Sequence, residues 1–130
     1  MMKSVFIGLF LICATVFIAK GTVFAASAEE NYKFYCVQCH GKDGTGTGPN
    51  AKPSTFGLDL PEMSVTPRNH ASPEDMGKLS DTDIINAVTG GGISVNKAAL
   101  MPPWGKTLSE QEIKDMVGHL RKLCNCKGPS

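Results

Sequence analysis

Phe34 to Gly41 reads F-Y-C-V-Q-C-H-G: two thiols, Cys36 and Cys39, one helical turn apart in register, with the imidazole of His40 directly after the second. A dithiol redox centre needs the cysteine pair but has no use for His40, and a structural zinc site needs four ligands where this stretch offers three. A porphyrin accounts for all three residues. On a helix, Cys36 and Cys39 lie on one side and reach the vinyl groups along one haem edge as thioethers, while His40 comes up beneath the iron. Covalent attachment keeps the group in place and holds the imidazole at high effective concentration. One covalently bound haem c is the expectation.

Working outward, the competing use of these thiols recruits Cys124 and Cys126 for an all-thiolate zinc site. The C-x-C spacing is uncommon for a zinc knuckle, and that reading leaves His40 unexplained. A thioredoxin-like motif lacks its strand-helix-strand surroundings. On the N-terminal side, Met1-Met2-Lys3, the apolar run Val5 to Ala19 and Ala26-Ser27-Ala28 read as a signal peptide, residues 1–28, cleaved after Ala28. The competing reading, an uncleaved anchor, has an apolar run short of the ~20 residues a bilayer needs, interrupted by Lys20. Cys13 lies in this run as an apolar filler. Residues 29–130 remain as one domain, exported into an oxidising compartment where a bare C-x-x-C tends toward a disulfide unless something consumes the sulfurs. Without Lys3 and Lys20 it carries 11 basic against 12 acidic residues. No basic field argues for nucleic acid.

The rest of the domain reads as helices joined by glycine- and proline-rich loops. A short first helix is expected over Glu29 to Gln38, and Gly41 to Pro49, G-K-D-G-T-G-T-G-P, as loop. Prolines at 53, 61, 67 and 73 forbid long regular structure, though a helical turn fits Pro73 to Met76. L-S-D-T-D-I and L-S-E-Q-E-I then announce two helices with the same signal: Ser80 with Asp83, Ser109 with Glu112, and Leu79 or Leu108 placed to staple. The first should end at Gly90-Gly91-Gly92, and the second carries Ile113, Met116, Val117 and Leu120 as one apolar stripe. The fold class is all-α, about three to four helices and long loops wrapped around the haem.

A haem iron with one imidazole takes a sixth ligand unless the protein binds gases or peroxide. Met63, Met76, Met101, Met116, His70, His119, Cys124 and Cys126 are the candidates. Met101 stands in A-L-M-P-P-W-G, where two prolines stiffen the backbone that presents its sulfur. Met116 belongs to the helix stripe. Trp104 is placed to pack beside the haem, excluding water.

C-V-Q-C-H, G-T-G-P, L-S-D-T-D-I-I-N-A-V-T-G-G, M-P-P-W-G and L-S-E-Q-E-I-K-D-M-V-G-H-L-R-K-L together resemble the small single-haem class I cytochromes c of bacteria, over nearly all of Tyr32 to Leu123. The resemblance implies attachment through Cys36 and Cys39, proximal ligation by His40, distal ligation by Met101, and a Pro49 carbonyl accepting from the other nitrogen of His40. It implies a fold in which the first and last helices cross, with His119 where an aromatic often stands. Two features depart from it: the long stretch Leu58 to Met76, in which Arg68 and His70 read as solvated loop residues, and Cys124-Asn125-Cys126, which can close a disulfide, link a partner chain or supply a thiolate.

The expected function is electron transfer between larger redox proteins in the periplasm, without an enzymatic constellation of acid, base or nucleophile. Its alternative is a haem-based gas-binding or sensor subunit with a weak or thiolate distal ligand.

Overall fold

A computed structural model describes residues 25–51 and 64–129. Most of the expected leader, and the part of the proline-rich stretch that holds Leu58 and Met63, lie outside the described residues. Within them the chain forms five helices and no strand: α1 (Ala28–Tyr35), α2 (Val37–His40), α3 (Pro73–Met76), α4 (Asp81–Ser94) and α5 (Glu110–Cys124). Two of these, α2 and α3, are single turns.

Three helices start with a reciprocal serine-carboxylate cap. At α5 the Ser109 amide donates to Glu112 at 2.9 Å and the Glu112 amide donates back to the Ser109 hydroxyl at 3.3 Å. Ser80 and Asp83 do the same for α4, as their spacing predicts. The third box, Ser27 with Glu30, opens α1. The first helix is shorter than expected: it ends at Tyr35, the chain bends at Cys36, and α2 continues as a separate turn.

The last element carries the core. Ile113, Met116, Val117 and Leu120 are all buried, and α5 packs against α1, α3 and α4. Tyr32 from α1, Ile84 and Val88 from α4 and Leu108 complete the cluster. Met76, a candidate ligand by sequence, is 1% exposed and belongs to this core. Arg121 ties α5 to the α3–α4 turn, donating to the carbonyls of Met76 at 2.8 Å and Leu79 at 2.6 Å and to the carboxylate of Asp81. Met76 closes α3, and its carbonyl also accepts from the Leu79 amide at 3.2 Å, while Leu79 stands just before the Ser80 cap of α4.

The glycine run does not stop α4 at Thr89. The helix breaks at Gly91, whose φ of 72° lies in the left-handed region, and resumes to Ser94. The break makes room for the M-P-P-W-G loop: a Cβ on Gly91 would stand 2.6 Å from the Met101 carbonyl. Beyond α5, Asn125 turns left-handed and Cys124 bonds to Cys126. None of the described helices is long and apolar enough to cross a membrane.

Candidate functional site

The α2 turn gathers the expected anchors. The amides of Cys39 and His40 both donate to the Cys36 carbonyl, at 3.2 and 2.9 Å, so all three residues share one turn. Both thiols are half-buried and unpaired. Burial, with Cys39 close by, pushes the Cys36 thiol up to about 11. A dithiol oxidoreductase needs the opposite, a nucleophile lowered toward neutrality.

The imidazole of His40 is oriented by the backbone. Its Nδ1 lies 3.0 Å from the Arg68 carbonyl. A carbonyl only accepts, so Nδ1 carries the proton and Nε2 the lone pair. Among the described residues nothing hydrogen-bonds to Nε2. Burial lowers the basicity of the ring, and the Arg68 bond partly restores it. The neutral form with Nε2 available is the form a metal binds.

The carbonyl at this nitrogen belongs to Arg68, where the resemblance implied Pro49. The loop after α2 folds back along it, with the amides of Gly46, Gly48 and Asn50 donating to the carbonyls of His40, Cys39 and Gln38 at 2.7, 3.1 and 2.7 Å. Pro49 is half-buried and lines an open depression with Val37, Gly41 and Thr47. Gly46, with φ of 82° and no side chain, lets the Pro67 carbonyl press against it. The His70 amide donates to the Gly44 carbonyl at 2.6 Å. These contacts carry Arg68 to His40.

His70 is likewise not a solvated loop residue. It is 8% exposed and stacks on His40, ring centroids 3.9 Å apart and planes within 14°. Its Nδ1 lies 3.2 Å from the Tyr32 hydroxyl, which donates in turn to the Gly41 carbonyl at 3.3 Å. Burial, reinforced by His40 and Arg68, holds His70 neutral, well below the usual histidine range. Rings stacked face to face cannot be ligands on opposite sides of one iron, so this geometry removes His70 from the distal candidates. Nothing in the periodicity of T-P-R-N-H marks these residues; the only local signal is the pair of loop glycines, Gly44 and Gly46, that admit them. His119 packs against Tyr32 at 5.0 Å between α1 and α5, as an interhelix residue.

The Met101 loop is fastened to α4. The Met101 carbonyl accepts from the Gly92 amide at 3.0 Å, and the amides of Trp104 and Gly105 donate to Val88 and Thr89 at 2.9 and 3.0 Å. Met101 and Trp104 are half-buried at the edge of the core, together with Tyr35, Cys36 and Val37. The Trp104 ring lies 5.0 Å from that of Tyr35, the residue before Cys36. Cys124 and Cys126 are bonded to each other. That pairing leaves neither for the zinc site, a partner chain or an iron. Two unpaired thiols, a neutral imidazole whose Nε2 has no partner among the described residues, and a thioether on a fastened loop form a donor set that fits haem c.

Residues 24–120 match the family described as "Cytochrome C oxidase, cbb3-type, subunit III". Among solved structures, the chain is similar to the "KustC0563 c-type cytochrome", with 26% identity, a TM-score of 0.53, 75% of this chain covered and 98% of the other. It is also similar to a chain of the Kuenenia stuttgartiensis "reducing HAO-like protein complex Kustc0457/Kustc0458", with 27% identity and a TM-score of 0.54 over 76% of this chain and 42% of the other. No curated protein matches the chain.

Proposed function

The chain belongs to the family described as cytochrome c oxidase, cbb3-type, subunit III, and from that premise we propose that it carries single electrons through one covalently held haem c. The family implies a covalently attached haem and electron transfer. The finer assignment is ours: thioethers at Cys36 and Cys39, His40 as proximal ligand and Met101 as distal ligand. When bound, the group supplies a one-electron couple of iron, which histidine and methionine together set toward high potential. The protein's own part is to hold the anchors on one turn, to keep a proton on Nδ1 of His40 so that Nε2 faces the iron as a lone pair, and to exclude water with Tyr35 and Trp104.

One observation carries this reading: α2 sets two unpaired thiols and the imidazole on a single turn, with the tautomer already chosen by Arg68. The thiolate-ligated sensor loses its donors to the Cys124–Cys126 bond. Redox proteins are the proposed partners, supported by the similarity to a chain of a reducing complex. Export through the leader to the periplasm, with residues 29–130 as the working domain, is proposed from the sequence. No catalytic residue is proposed.

Two measurements test the function. The denatured chain should weigh one haem more than its polypeptide, and acid acetone should leave the pigment on the protein. The ferrous protein should ignore carbon monoxide, as two strong axial ligands require. A colourless, zinc-containing protein rules out the carrier; ready binding of carbon monoxide by the native protein gives the site to the gas-binding alternative.

A further inference from the structure

Arg68, His70 and Tyr32 lie outside the C-x-x-C-H stretch, and all three converge on His40. The Arg68 carbonyl fixes which nitrogen carries the proton. That single bond holds the ring at one edge and leaves its plane room to rock. The flat face of His70, 3.9 Å away and nearly parallel, removes this freedom. His70 is held in its turn, since its Nδ1 bonds the Tyr32 hydroxyl, and that hydroxyl is anchored on the Gly41 carbonyl, one residue beyond His40. The loop closes on itself: Gly41, Tyr32, His70, His40.

We propose that the segment Pro67 to Ala71 is a positioning strap for the proximal ligand, in which the Arg68 carbonyl sets the tautomer of His40 and the His70 ring, braced by Tyr32, sets its plane. His70 acts through His40 and is a positioning residue. The consequence for redox behaviour rests on the haem assignment above: the plane of an axial imidazole decides which iron orbitals it overlaps and so how unpaired spin spreads over a ferric haem. Partners of this kind fix the tautomer and orientation of a ligating imidazole, and their loss typically costs about 10–100-fold in metal affinity or activity.

The test compares native protein with His70→Ala, His70→Phe and Tyr32→Phe, all with haem bound. Proton spectra of the ferric forms read the haem methyl shifts, which follow the imidazole plane and which a merely structural role would leave in place. Nitrogen–proton correlation spectra of the ferrous forms read the exchange of the His40 Nδ1 proton. His70→Ala is expected to change the order or spread of the methyl shifts and to speed Nδ1 exchange. His70→Phe, which keeps a flat ring, should stay closer to native, and Tyr32→Phe should move part of the way toward His70→Ala.

A His70→Ala holoprotein with native methyl shifts and native exchange overturns the strap. Should that variant not fold, His70→Phe and Tyr32→Phe carry the comparison, and native spectra in both overturn it equally. A colourless native protein defeats the haem assignment alone. The strap is then read from Nδ1 exchange, where slow exchange that His70→Phe or Tyr32→Phe accelerates supports it and fast exchange in the native chain overturns it.

Discussion

A methionine sulfur acts as a ligand or as filling according to its surroundings, and the methionines here divide on that ground. Met101 sits half-buried on a loop that three backbone hydrogen bonds fasten to α4. Met101→Ala should abolish the weak far-red sulfur-to-iron absorption of the ferric protein, lower the potential and open the ferrous form to carbon monoxide. Met76 is 1% exposed among core side chains. Met76→Ala should therefore leave the spectrum unchanged while costing about 2–5 kcal/mol in chemical denaturation. At Gly46 the backbone is left-handed and a Cβ would press on the Pro67 carbonyl. Gly46→Ala should cost about 1–3 kcal/mol and speed exchange of the His40 Nδ1 proton, because the strap is displaced with Pro67.

Among the elements, the helix starts decide acid stability. Hydrogen bonds from Ser109, first its amide and then its hydroxyl, lower the Glu112 carboxyl below the usual range, and Asn31 of α1 adds a third. Asp83 is lowered by Ser80, its hydroxyl first and then its amide, and Glu30 by Ser27, its amide first. A carboxyl lowered by folding contributes stability that is complete above the unfolded carboxylate range and is lost as pH falls through the folded value. Unfolding midpoints should thus hold steady near neutrality and decline as pH falls into and through the carboxylate range. Ser109→Ala should cost about 1 kcal/mol near neutrality and flatten that decline. The α1 cap bears on processing as well. Cleavage after Ala28 would remove Ser27 from the α1 capping box, so an intact mass that starts at Glu29 leaves α1 working without that cap, and a start before Ser27 overturns the 29–130 boundary.

For the molecule as a whole, the Cys124–Cys126 bond fastens the chain end beside Arg121, where Gly128 packs against the Leu79 carbonyl. The loop it closes is very short, so its chain-entropy contribution is on the order of 1.5 kcal/mol. Reduction by a mild thiol should lower the unfolding midpoint by several degrees, at roughly 4–8 °C per kcal/mol for a domain of this size. The optical spectrum of the bound haem should not change. A spectrum that does change on reduction would return a thiolate to the list of iron ligands.

Local signals were legible in the chain itself. Ser80 with Asp83, Ser109 with Glu112 and the stripe Ile113 to Leu120 lie within a turn or two of one another, where neighbouring side chains and backbone amides interact whatever the rest of the chain does. The proposed anchors Cys36, Cys39 and His40 are local in the same sense, and their types and spacing carry the haem proposal. Everything that crosses the fold was decided elsewhere. Which carbonyl meets Nδ1 of His40 depends on a segment 28 residues on, admitted by two glycines whose vacancy reads as loop and nothing more. Whether α4 ends or only breaks at the glycine run depends on a loop pressing against Gly91 from the far side. The burial of His70 and Met76 depends on helices that neither belongs to. Such contacts join distant positions through packing, which has no period along the chain, and so only the tertiary structure settled them.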